Sequence, residues 1–165
     1  MLILGLDPGS LHTGYGLVEK TGSELRPVDW GRISSPRRLE LPRRLADLAA
    51  SVGELLHRCS PDLAVLETPF HGLNARSLIV LAQARGVLLA SVGERGLEVR
   101  EYTPAEVKSA VTGNGRAGKE QVARMVQILL GLEGEPLEDD TSDALAVAVC
   151  CAQRHRVDSV ARSLC

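Results

Sequence analysis

Two hydrophobic periods alternate along this chain. From Leu2 to Leu6 every position is apolar or glycine, which reads as a strand buried on both faces. The run stops at Asp7, and the turn pair Pro8-Gly9 follows. Further strands are expected over 13–19 and 25–33, with the polar stretch Lys20-Thr-Gly-Ser-Glu24 as the turn between them, so the first three strands read as an antiparallel meander. The period then changes. Leu41, Leu45, Leu48, Val52, Leu55 and Leu56 share one face of a helix over 41–58, with Pro42 where a first turn tolerates it. A short apolar strand follows over 62–67, then a long helix over 74–95 and a strand over 97–102. Helices are expected after Thr103, with Pro104 in first position, then from about 117 to 130 and from about 141 to 154.

The order βββ-α-β-α-β-α-α-α joins a meander to a parallel half with right-handed crossovers. That is the arrangement of the ribonuclease H-like α/β fold, a five-stranded mixed sheet of three antiparallel and two parallel strands flanked by helices. In it the first and fourth strands are parallel neighbours. A chain of 165 residues suits one domain, here expected over 1–155 with a C-terminal tail over 156–165.

Composition refines this picture. Apolar residues make up 44% but aromatics only 2%, namely Tyr15, Trp30, Phe70 and Tyr102, so the core must be aliphatic. The net charge of −2 argues against a nucleic-acid partner, but the charge is unevenly spread. Six acids and no base lie between Leu132 and Asp143, and without them 19 basic face 15 acidic residues. The cysteines at 59, 150, 151 and 165 have no metal-knuckle or redox spacing, a usage that fits a reducing compartment. No signal peptide is evident, and no apolar run approaches the ~18 residues of a membrane span. A cytoplasmic protein without a membrane partner is expected.

The acids at the strand ends carry the chemistry. ILGLD ends in Asp7 and LAVLE ends in Glu67, and parallel pairing would set them side by side at the carboxyl edge where α/β sheets bind ligands. Each has an ordinary reading, Asp7 as the first residue of a turn and Glu67 as a charged strand end. Asp140 and Asp143 stand three apart at the start of the last helix, where acids commonly cap. That helix is apolar all round from Ala144 to Ala152, so it must be packed inward and carry its acidic first turn with it. Asp139 competes with Asp140 for the same role, since it also neighbours Asp143 on the helix. Carboxylate clusters of this type suit Mg²⁺ or Mn²⁺, and two such ions can clamp a phosphodiester.

Four blocks in order resemble the RuvC family, bacterial crossover-junction endodeoxyribonucleases that resolve Holliday junctions. They are GLDPGSLHTGYG (5–16), VLETPF (65–70) with NARS and QARG (74–77 and 83–86), EVKSAVTGNGRAGKEQVARMV (106–126) and DDTSDALAVA (139–148). The resemblance implies a metal-dependent nuclease of DNA recombination and repair whose four ligands are Asp7, Glu67, Asp140 and Asp143. It implies two Mg²⁺ per site, with Mn²⁺ as a substitute, and paired symmetric nicks leaving 5′-phosphate and 3′-hydroxyl ends. It also implies a homodimer on four-way junction DNA, working with the RuvA–RuvB branch-migration complex. Phe70 takes the position that stacks on unpaired bases, against the alternative of a core residue. Lys108 and Lys119 match the lysines that touch phosphate, and Arg76 and Arg116 are further DNA-contact candidates. Ala82, Gly86 and Ala90 recur on the long helix and would let another helix approach, whether from a second copy or from within this chain.

Three rivals are set against this reading. The actin and sugar-kinase superfamily opens with a similar strand, Asp-x-Gly turn and strand, but uses two domains around ATP. A YqgF-like RNA-processing nuclease shares the DPG hairpin. A non-catalytic junction-binding protein would use the acids only as caps, and would bind junctions in Mg²⁺ without cutting them.

Overall fold

A computed structural model of the chain describes residues 1–68 and 74–163, the last nine of these by backbone alone. Its five strands are β1 (Leu2–Asp7), β2 (His12–Thr21), β3 (Glu24–Ser34), β4 (Leu63–Glu67) and β5 (Glu98–Tyr102). They form one sheet in the order β3-β2-β1-β4-β5. β1 pairs antiparallel with β2 and parallel with β4, and β4 pairs parallel with β5. The helices are α1 (Leu41–Cys59), α2 (Ala75–Gly93), α3 (Pro104–Thr112), α4 (Lys119–Leu130) and α5 (Asp139–Ser163).

The sheet has a layer on each face, and the pleat decides which residue joins which. Ile3, Val18, Leu63 and Val65 point into a core with α3, α4 and α5. Leu4, Leu6, Leu17, Ala64 and Leu66 point the other way, into a core with α1 and α2. β1 and β4 are covered on both sides, which is why their sequences are continuously apolar. β3 is an edge strand, and its alternating burial and Pro27 fit that place. Its pairing with β2 slips at Leu17/Val18, and both strands run longer than the sequence pattern suggests. Tyr102 is a buried core residue.

Two elements differ from expectation. α5 starts earlier, at Asp139, and runs to Ser163 instead of ending near Arg154. The apolar signal stops at Ala152, so the pattern has nothing with which to mark the later boundary. α2 is long and apolar enough to cross a membrane by length and composition. No apolar run of that length was expected from the sequence. One face of α2 packs on the sheet through Ala84, Leu88 and Val92. The opposite face, with Ile79, Ala82, Gly86 and Ala90, is largely open, and Ile79 is 60% exposed.

Candidate active site

Asp7 and Glu67 end adjacent strands. Parallel pairing brings Leu6 opposite Leu66, so the two acids follow side by side. Both backbones are pinned. The Thr13 hydroxyl donates to the Gly9 carbonyl (2.7 Å) and accepts from the Gly9 N–H (3.3 Å), which fixes the turn after Asp7. Beyond Glu67, the Thr68 N–H donates to the Tyr102 carbonyl at 2.8 Å and prolongs the β4–β5 ladder. The Arg85 guanidinium, only 8% exposed, donates to the Glu67 carbonyl at 2.8 Å through Nη1 and pairs with Glu101 through Nη2.

Three missing side chains bring the α5 acids to this edge. α5 lies against β1 and β2 with almost no gap. A Cβ on Gly5 would fall 2.0 Å from the Ala144 carbonyl oxygen, and one on Gly14 would fall 1.9 Å from the Asp140 carbonyl oxygen. A Cβ on Gly16 would fall 2.6 Å from Leu145 Cδ2. Only glycine permits this approach. Gly14 is also the register partner of Asp7, so the first turn of α5 is seated beside the end of β1.

The acids and bases around this point are strongly coupled. Burial pushes the Asp7 carboxyl up to about 7, helped by the negative charges of Asp143, Asp140 and Glu67, with Lys119 pulling it back. Burial likewise raises Glu67, and Asp143 adds to it, while Lys108 and Lys119 oppose. Asp143 is raised by burial against the pull of its Lys119 partner. Lys119 Nζ stands 3.1 Å from Asp143 and 3.3 Å from Asp139. Burial works to lower its pKa, but these two carboxylates prevail and raise it. Asp140 leans the other way, 4.0 Å from Arg32, which holds Glu138 at 2.8 Å. Asp139 is 82% exposed, and its charge does not figure at Asp7, whereas that of Asp140 does.

The chemistry of this cluster suits a hard cation. Asp7, Glu67, Asp140 and Asp143 offer only hard oxygen donors, which suit Mg²⁺ or Mn²⁺, and the rise at Asp7 comes first from burial and then from its acidic neighbours. Among the described residues no three ligating side chains are closed into a ready cage. Lys119 and Arg32 draw Asp143 and Asp140 aside as salt-bridge partners. The donor set fits a divalent cation.

The remaining candidates are dispersed around the carboxylates. Lys108 and Lys119 line a cavity of about 480 Å³ that also reaches Glu67 and Asp143. Arg76 lines a groove of about 490 Å³ on the opposite side of the cluster, beside Asp140. Arg116 is exposed on the glycine-rich loop before α4, its N–H bonded to Asn114 Oδ1 at 3.0 Å. Phe70 lies outside the described residues. Sequence reasoning passed over Arg85 and Arg32. A signal existed for Arg85, because an arginine on the apolar face of a core helix requires a buried partner. For Arg32, on an edge strand, there was none.

Comparison with known proteins identifies the family. The family described as crossover junction endodeoxyribonuclease RuvC matches residues 3–151. The RuvC of Moorella thermoacetica is 50% identical over 92% of this chain and 91% of its own length. That of Rubrobacter xylanophilus is 45% identical over 96% of this chain and 88% of its own. Thermus thermophilus RuvC, solved in complex with a Holliday junction substrate, superposes with a TM-score of 0.90 at 32% identity, covering 96% of this chain and 97% of that one. The yeast mitochondrial Holliday junction resolvase Ydc2 shares the fold, with a TM-score of 0.70 at 16% identity. With most of its length matched by the family and the carboxyl edge of its sheet built as described, the chain belongs to the RuvC family of crossover junction endodeoxyribonucleases.

Proposed function

We propose that this protein resolves Holliday junctions by metal-dependent paired nicking, with Asp7, Glu67, Asp140 and Asp143 as the metal-holding set. One observation carries the assignment of these residues. Two strand-end acids on adjacent parallel strands meet two acids from a helix seated on glycines, and their negative charges act on one another. Bound there, Mg²⁺ or Mn²⁺ would supply an activated water and stabilise the leaving 3′ oxygen. The chain's own residues do the positioning. Lys108 and Lys119 face phosphate across the cavity beside Glu67 and Asp143. Lys119 also keeps Asp143 compensated before the metal arrives. Arg85 holds the Glu67 backbone in line with Asp7. The products are 5′-phosphate and 3′-hydroxyl ends.

The active form is a homodimer packed through the open face of α2, whose small residues at 82, 86 and 90 permit close helix approach. Two sites related by a twofold axis suit a junction of near-twofold symmetry. The junction forms on chromosomal DNA, so the protein acts in the cytoplasm, after the RuvA–RuvB branch-migration complex. The test is cleavage of a synthetic four-way junction beside a linear duplex of the same sequence, in Mg²⁺, in Mn²⁺ and in EDTA. Paired nicks confined to the junction and dependent on metal are expected. Binding without nicking in either metal would reduce the acids to helix caps and return the non-catalytic reading.

A further inference from the structure

The cavities around the carboxylates are not separate. The one with Lys108 and Lys119 shares Glu67 and Asp143 with a smaller cleft of about 210 Å³ under Asp7. That cleft shares Pro8 and Leu81 with the groove on the far side. Together they form one trough, with lysines at one end, the carboxylates in the middle, and Arg44 and Arg76 at the other. Arg44 comes from α1, an element with no part in the site described so far. Its Nε is buried without a hydrogen-bond partner, and neither Arg44 nor Arg76 forms an ion pair among the described residues. Its neighbour Arg43, by contrast, is paired with Asp47 at 3.0 Å. A buried, unsatisfied guanidinium N–H is costly and calls for an acceptor. The groove it lines ends at Asp140 and supplies no other carboxylate.

We propose that Arg44 binds a backbone phosphate of the cleaved DNA strand, at the end of the trough opposite Lys108 and Lys119. The strand then lies across the carboxylates anchored on both sides of the scissile phosphate. Arg44 supplies a half-buried guanidinium with a free Nε–H and Arg76, lining the same groove, the exposed charge. A guanidinium suits this role because its planar donors match phosphate oxygens. The inference rests on the nuclease reading above. It adds a contact from α1, which that reading leaves out.

The test compares wild type with Arg44→Gln and Arg44→Lys on a four-way junction. In EDTA, R44Q should weaken junction binding about tenfold. It should also flatten the slope of log K against log salt by ~0.7–0.9, the share of one phosphate. R44K should keep the slope, because the charge remains. Junctions carrying a neutral methylphosphonate at single positions flanking the cut site give a second reading. At one flanking position the penalty of R44Q should vanish, because the contact is already absent. A merely structural arginine would lower the melting temperature and leave both readouts unmoved. An unchanged slope, or a penalty that persists at every flanking position, overturns the proposal while wild type still nicks the junction. Failure of wild type to nick it at all counts instead against the nuclease reading.

Discussion

Replacing Asp7 by asparagine should stabilise the metal-free protein while abolishing its cleavage. The folded chain keeps a proton on Asp7 up to about pH 7, whereas the unfolded chain releases it near the ordinary 3.8. Between those two values folding takes up a proton, so this group's contribution to stability is full below about 3.8 and falls as pH rises towards 7. About three pH units at 1.36 kcal/mol each give ~4 kcal/mol as a ceiling on the cost of the ionised group. Screening by solvent in a half-open cleft reduces this to about 2 kcal/mol. Asn keeps the shape and removes the charge. For a chain of this size that corresponds to a gain of ~4–8 °C in melting temperature. Thermal unfolding in EDTA at pH 8 should show the gain, and at pH 5, where wild-type Asp7 is already protonated, most of it should disappear. Saturating Mg²⁺ should reverse the order, because only the wild type retains its full ligand set. Equal or lower stability of D7N in EDTA at pH 8 would refute the argument that burial and acidic neighbours penalise the ionised Asp7.

Other expectations follow from single contacts. Arg85→Met should cost ~1–3 kcal/mol by stranding the Glu67 carbonyl, and should lower cleavage more than junction binding; calorimetry and cleavage rates check both. Gly14→Ala puts a methyl 1.9 Å from the Asp140 carbonyl oxygen, so it should cost upwards of ~3 kcal/mol and abolish nicking even at temperatures where circular dichroism shows a folded chain. Ile79→Asp, on the open face of α2, should give a monomer in sedimentation and replace paired nicks by sporadic single ones, with intramolecular packing barely changed. Phe70→Ala should impair junction opening, read by a fluorescent base at the crossover, and leave the melting temperature within about 2 °C if the ring stacks on bases; a larger fall in stability favours a core position.

The fold was legible because its inner strands are covered on both faces. Continuous apolar runs ending in Asp7 and Glu67 marked β1 and β4, and the sheet pairs them as expected. The start of α3 was legible too, with Thr103 before it and Pro104 in its first turn, whereas the capping box that Glu106 closes with Thr103 emerges only from the structure. What the pattern did not reveal lies between elements. Nothing in the letters of GLDPGSLHTGYG distinguishes a turn glycine from Gly5, Gly14 and Gly16, whose role depends on a helix more than 120 residues later. Arg32 reaches Asp140 across the edge of the sheet, a contact with no periodic signature. The choice of Asp140 over Asp139 rests on resemblance, and the seating of the helix against β2 supports it without testing it. There Asp139 turns to solvent and to Lys119.

The bare contact between α5 and the sheet also sorts the glycines for anyone wishing to harden this enzyme. Thermostabilisation schemes often exchange helical glycine for alanine, for a gain of ~0.5–1 kcal/mol each. Gly53, inside α1, has nothing within 4 Å of an added methyl and is a fair target. Gly86 has as much room, but a methyl there would reshape the surface proposed to meet the second subunit. Gly5, Gly14 and Gly16 admit no atom at all. Their place in the fold is a permanent fixed point, and a library that leaves them untouched retains the geometry on which every other substitution depends.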